Sequence, residues 1–398
     1  MNGQAEQLRN LTPDQVRSIA QEYGTPLYVY SKSRLLEQVR KLQKWQMPYG
    51  QTLRYAMKAN PHPEVVKTLY ANGILIDASS GPEAELAMNY GVAPEHIMLT
   101  SQQLPQNLTE LLERGVKFNA CSLRQLEEYC RLAPNSEVSV RINPGVGDGQ
   151  NNRLTTGGAN AAFGIWHDYA SQVKQIAQAA NIRISQLHTH IGTGTNPEVW
   201  ASVAETSLRL LDDYPDAQKL SLGGGFKVKT MTDDTIANIS QLSSAVSERV
   251  EEYAQHHDRK IHVEIEPGRY YVANCGTLLT EVIDVNDTGS LGHQFAIVNS
   301  GMNDFMRPAM YGAQHPLVTV TRDGTDRTQG ELLVAGHCCE SSDMFTLAPD
   351  DPETIAPRNM FMPNIGDYIC LEVAGAYGAG MRASMYNSFE PAKEVFAY

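Results

Sequence analysis

The chain is predicted to fold as a (β/α)₈ barrel of the α/β class followed by a C-terminal β-rich domain. Between about residues 35 and 270, eight short strand-like runs alternate with amphipathic helical patterns. After Arg269 the helical period fades and β-like segments dominate. The 398 residues are enough for a large barrel with an appendage.

The barrel strands are expected at 53–57, 74–78, 97–100, 117–120, 138–142, 184–191, 219–222 and 261–265. Helical patterns at 63–72, 82–90, 107–114, 123–132, 168–180, 197–214 and 236–256 separate them, and 33–45 precedes the first. Asn60-Pro61 ends the first run, because a proline disfavours helix at the residue before it. The Gly-, Asn- and Thr-rich stretch 145–160 reads as a long loop after the fifth strand. Segments 280–285, 294–299, 316–321, 331–335, 368–373 and 393–396 form the β-rich part, which 27–30 can join. The expected division is a barrel over 33–272 and a second domain from 1–32 with 273–398.

Composition narrows the function class. Hydrophobic residues make up 42% and charged residues 19%, as in an ordinary soluble enzyme. A net charge of −13 argues against nucleic acid or an anionic membrane as the main partner. The six cysteines show no CxxC or Cys/His metal spacing, the opening residues lack a signal-peptide pattern, and no apolar run reaches membrane-spanning length. A reducing cytoplasm is the expected location.

In a barrel of this kind, chemistry gathers where the strands end. The first run ends at Lys58, where partial desolvation would lower an amine's pKa and make it nucleophilic. The second ends at Asp77-Ala78-Ser79 and the fifth at Arg141-Ile142-Asn143-Pro144. The sixth gives His188-Thr189-His190-Ile191-Gly192-Thr193-Gly194, the seventh Gly223-Gly224-Gly225, and the eighth Glu264-Ile265-Glu266-Pro267-Gly268-Arg269. Each has a plain reading as well. A lysine can snorkel, a triple glycine can be a turn, and histidines at i, i+2 can be core residues or a metal pair.

A phosphorylated aldehyde cofactor accounts for the set together. Glycines 223–225 can bring bare N–H groups to a phosphate, with Gly268 and Thr193 beside them. His190 can lie against an aromatic ring, Glu266 can pair with a protonated ring nitrogen, and Lys58 can bond the aldehyde. That cofactor is pyridoxal 5′-phosphate.

Tyr55-Ala56-Met57-Lys58-Ala59-Asn60, His188-x-His190-Ile191-Gly192-x-Gly194, Gly223-Gly224-Gly225 and Glu266-Pro267-Gly268-Arg269, in that order, resemble the pyridoxal-phosphate decarboxylases built on the alanine-racemase type barrel. Cys339-Glu340-Ser341-Ser342-Asp343 resembles the Cys-Glu-Ser-x-Asp signature of the diaminopimelate decarboxylases within that group. Met306-Arg307-Pro308-Ala309-Met310-Tyr311, Ala374-Gly375-Ala376-Tyr377-Gly378 and Tyr386-Asn387-Ser388-Phe389 match as well.

The resemblance implies decarboxylation of meso-diaminopimelate to lysine in a homodimer with shared sites. It implies that Lys58, Asp77, His190, Thr193, Gly223, Gly224, Gly225, Glu266, Gly268, Arg269 and Tyr377 hold the cofactor. Cys339 is implied as the proton donor, reaching the site from the other subunit, with Cys338 a packing residue. Arg269, Arg307, Tyr311 and Tyr377 are implied to receive the substrate's far carboxylate and Glu340 its ammonium. The departures are His337 for the family's proline, Ser342 for glycine, Ala162 for lysine and Thr193 for serine. A decarboxylase of this fold with another amino acid as substrate, a racemase, and a non-catalytic carrier are the other readings. Glu266 speaks against the racemase and the β-rich domain against the carrier.

Overall fold

The computed structural model describes residues 5–146, 157–190 and 194–397. Thr193 and most of the 145–160 loop lie outside them. The chain forms two compact units, one of Gln38–Lys227 with Thr235–Tyr270, the other of Met1–Glu37, Val228–Asp234 and Tyr271–Tyr398.

The first unit is the barrel. Its strands are Gln51–Ala56, Leu75–Ala78, Ile97–Leu99, Lys117–Ala120, Glu137–Asn143, Arg183–His188, Lys219–Ser221 and His262–Ile265. Neighbouring strands are parallel, and the eighth pairs with the first, which closes the ring. Helices alternate with them, entered at side chains that cap their first N–H groups: Ser80 accepts from Glu83 N, Ser122 from Gln125 N and Asn238 from Gln241 N. A two-residue strand, Ile165–Trp166, extends the fifth strand's edge and was not anticipated.

Inside, the barrel is polar rather than filled by branched aliphatics. Arg54 of the first strand donates to Glu264 of the eighth at 2.7 Å, and Gln186 of the sixth reaches the same carboxylate at 3.3 Å. Asn119 of the fourth strand contacts His188 of the sixth at 2.6 Å. The sixth and eighth strands are not neighbours, nor are the fourth and sixth, so these contacts cross the barrel interior. Arg54 and Glu264 are each 1% exposed. Burial pushes the Glu264 carboxyl up, yet the Arg54 charge and hydrogen bond outweigh it and hold it below its ordinary range. A carboxyl lowered on folding stabilises above its unfolded pKa of ~4.3 and loses that contribution as pH falls through its folded value. Arg54→Met is therefore expected to cost about 3–5 kcal/mol at neutral pH, because Glu264 is left charged and buried. Urea unfolding checks this, and the Arg54→Met/Glu264→Met pair should recover much of the loss.

The second unit is a β domain. An eight-stranded sheet runs in the order Leu317–Val320, Tyr368–Leu371, Gly276–Asp287, Gln294–Val298, Gln329–Ala335, Arg358–Phe361. Leu27–Ser31 joins Gly276–Asp287 antiparallel and Lys393–Ala397 parallel. The core holds Tyr28, Leu278, Val298, Phe305, Leu332 and Ile369, with a smaller cluster around Val16, Leu27 and Val318. Among the described residues no helix is long and apolar enough to cross a membrane.

Candidate active site

The carboxyl ends of the barrel strands bring the expected residues to one mouth. The first strand stops at Ala56 because the backbone tightens into the turn Met57–Ala59, which presents Lys58. Lys58 is exposed, so the expectation of a desolvated amine is not met. Its charge nevertheless acts on Asp77, Glu83, Cys121, His188 and His190, which places the amine over the barrel interior.

Below it lies a buried acidic pair. Glu266 Oε1 accepts from Ser221 Oγ at 2.7 Å, and Ser221 Oγ accepts from Gly223 N at 3.2 Å. Burial pushes the Glu266 carboxyl up, while the Ser221 hydroxyl and the Arg54 charge pull it back. Asp77 is held well above the carboxylate range, first by burial and then by the charge of Glu266. Its Oδ1 is buried without a hydrogen-bond partner.

The histidines divide the work. Asn119 Nδ2 meets His188 Nδ1 while Asn119 Oδ1 accepts from Ser139, so the amide donates to His188 and the ring's proton sits on Nε2. That Nε2 lies 3.4 Å from Glu266 Oε2. Burial and the nearby Arg141 charge keep His188 and His190 well below the usual histidine range, hence neutral. His190 Nδ1 accepts from Gly224 N at 3.1 Å, which sets its ring plane. Among the described residues no group of three or more His, Cys, Asp or Glu is placed to hold a metal.

The glycine run serves two ends. Gly223 has φ +70°, and a Cβ there would overlap the His190 ring, so only glycine fits. Gly223 and Gly224 spend their N–H groups on Ser221 and His190, which leaves Gly225 N–H as the open donor of the three among the described residues. Gly268 packs against Ala56 and Ala59 beneath the Lys58 turn, and Arg269, half-buried, opens the next helical turn. An exposed amine, a buried carboxylate, an orphaned carboxyl oxygen and an open N–H fit an aldehyde-bearing, phosphorylated pyridine.

The β domain carries the remaining residues in two groups. Arg307 is buried, with its guanidinium 5.7 Å from the Tyr311 ring and 5.9 Å from the Tyr377 ring. Tyr377 has φ +54°, a backbone strain of the kind that gathers at functional sites. Cys339 and Glu340 are exposed on the loop 336–343. Cys339 N donates to Asn387 Oδ1 at 2.8 Å, and Tyr386 OH donates to Glu340 Oε2 at 3.3 Å. Cys338 is buried, bonded to Asn303, and its thiol is pushed up to about 12 by burial and Asp343, as suits a packing residue.

Sequence reading passed over Ser221, Asn119, Tyr386 and Asn387 as working parts. Ser221 and Asn119 had a signal: each is the last but one residue of its expected run, on the inward face.

The model of the family described as pyridoxal-dependent decarboxylase, pyridoxal binding domain, matches residues 35–273. The chain belongs to the pyridoxal-dependent decarboxylases. Its cofactor is pyridoxal 5′-phosphate. This decarboxylase is 33% identical to diaminopimelate decarboxylase of Streptomyces coelicolor over 93% of this chain and 83% of the relative. It is 30% identical to diaminopimelate decarboxylase of Escherichia coli K12 over 95% of this chain and 90% of the relative. A crystal structure of a diaminopimelate decarboxylase, 30% identical, superposes with a TM-score of 0.90 over 97% of this chain and 91% of the other.

Proposed function

We propose that this decarboxylase converts meso-diaminopimelate to L-lysine and CO₂, the last step of lysine biosynthesis. The observation that carries the reaction type is Glu266, a buried carboxyl held by Ser221 just past the end of the eighth strand. The substrate rests on relatives named for it along nearly their whole length.

Bound pyridoxal phosphate supplies a sink for the electron pair left when CO₂ departs. Lys58 would be the residue that holds the cofactor through its aldehyde group. Glu266 pairs with the ring nitrogen and keeps it protonated, since an adjacent carboxylate favours the cation. His190, its plane set by Gly224, would face the ring. Asp77 offers its unpaired oxygen to the same cofactor. Gly225 would donate to the phosphate, and Gly223, Gly224, Gly268 and Arg269 are the other described candidates for that cradle.

Arg307 suits the far carboxylate, because a guanidinium fork matches it in two places, with the Tyr311 and Tyr377 rings beside it. Glu340 suits the far ammonium; hydrogen bonds from Ser342 and Tyr386 favour its charged form. Cys339 returns the proton to the carbon that loses CO₂, and the reading places it in the neighbouring subunit's site within a homodimer. Six free thiols agree with a reducing cytoplasm.

Release of CO₂ should be measured over diaminopimelate, ornithine, lysine and arginine. Turnover with diaminopimelate alone is expected; turnover of another amino acid without it sinks the assignment. Cys339→Ala should keep its cofactor and lose about 10²-fold in kcat. An unchanged kcat would return Cys339 to the role of a surface thiol. Sedimentation at working concentration tests the dimer.

A further inference from the structure

Four consecutive residues, Tyr386 to Phe389, grip the loop 336–343 at three points. Tyr386 OH holds Glu340, Asn387 Oδ1 holds the Cys339 N–H, and the Phe389 ring stacks on His337 at 3.7 Å and 9°. From the other side, His337 Nε2 lies 3.0 Å from Asn303 Oδ1 and its N–H donates to Ser300 O at 3.1 Å. Asp343 braces the loop's base through Cys338 N at 2.8 Å and Met302 N at 2.6 Å.

The gripping turn is itself strained. Asn387 and Ser388 both have positive φ, +51° and +59°, and two adjacent non-glycine residues rarely hold that conformation unless neighbours impose it. The stack supplies the hold at the turn's end. Neither ring is part of the domain's buried apolar clusters, and both are only half-buried, so the stack is not there to fill the core. It ties down the loop that carries the Cys339 thiol and the Glu340 carboxylate.

We propose that His337 and Phe389 are positioning residues that lock the strained turn Tyr386–Phe389 onto the loop and so fix the placement of Cys339 and Glu340. The inference rests on the reading that Cys339 and Glu340 serve the reaction. The stack acts on Cys339 through Asn387 and on Glu340 through Tyr386, so both protonation and recognition of the far ammonium depend on it.

The test uses the holoenzyme with diaminopimelate. Phe389→Leu keeps bulk but loses the ring, and His337→Gln keeps a donor for Asn303 but loses the stack. Each should lower kcat about tenfold and raise KM, since misplacing a reacting group by about 1 Å costs this much or more. Phe389→Tyr, which keeps the ring, should stay within about twofold of wild type, and the double variant should be no worse than either single one. If Phe389→Leu and His337→Gln lower only Tm and leave kcat and KM within about twofold, the residues are structural and the proposal falls. The two readings separate through Cys339→Ala and through the iodoacetamide labelling rate of Cys339. A slow Cys339→Ala beside neutral stack variants overturns the lock alone. A neutral Cys339→Ala overturns the role of Cys339. The lock then stands if either stack variant shifts the labelling rate severalfold, and falls if neither does.

Discussion

Lys58→Ala is expected to abolish turnover, with a loss of at least about 10³-fold, while the protein folds as before. Lys58 is exposed, so its removal should change stability by no more than about 0.5 kcal/mol. The decisive measurement is chemical. Borohydride reduction of the wild-type holoenzyme should fix the cofactor's mass to the peptide carrying Lys58. In Lys58→Ala no lysine should carry it. A label on any other lysine in the wild type would remove Lys58 from its assigned role, whatever the variant's activity. Because Lys58 acts electrostatically on Asp77, His188 and His190, its loss should also shift the titration of the barrel mouth.

The second large effect is expected at Glu266. Glu266→Gln keeps an oxygen to accept from Ser221 and changes little in shape, but it removes the charge. Losing one member of a buried charge pair costs about 3 kcal/mol, which is about two orders of magnitude in kcat. Ser221→Ala, which removes only the hydroxyl that orients the carboxylate, should cost about 1 kcal/mol. A Glu266→Gln enzyme as active as wild type would show that the ring nitrogen's charge is not maintained from this side. It would also remove the observation that separates a decarboxylase from a racemase here.

Much of this site was legible in the chain because a barrel places its chemistry by rule. Once eight runs were recognised, the residues after each run had to share one mouth, so Lys58, Asp77, His190, Glu266 and the glycine run could be grouped before any contact was seen. The fates of Gly223 and Gly224 were not legible. A glycine announces that no side chain is tolerated, but not whether a ligand or a neighbouring ring excludes it; here the His190 ring does. The polar interior was missed for a related reason. Arg54, Asn119 and Gln186 sit at alternate positions of short strands, where alternation of polar and apolar residues ordinarily means one face in water. In a closed barrel that face turns inward instead. The N-terminal helix Pro13–Tyr23 stands outside the strand–helix alternation that marks the barrel, although Thr12, Pro13 and Gln15 spell its capping box. The paired segments Leu347–Ala348 and Asp351–Ile355 are too short to show a period.

The Arg54–Glu264–Gln186 contact has a further consequence for how this protein can change. Side chains that meet across the interior are not independent letters: a substitution at 54 is tolerable only with a compensating one at 264, and Gln186 limits both. Deep mutational scanning should therefore find strong epistasis among these three positions. Laboratory evolution toward a new amino-acid substrate should proceed one residue at a time at the mouth and stall at the layer beneath it, where paths of single changes pass through unfolded intermediates.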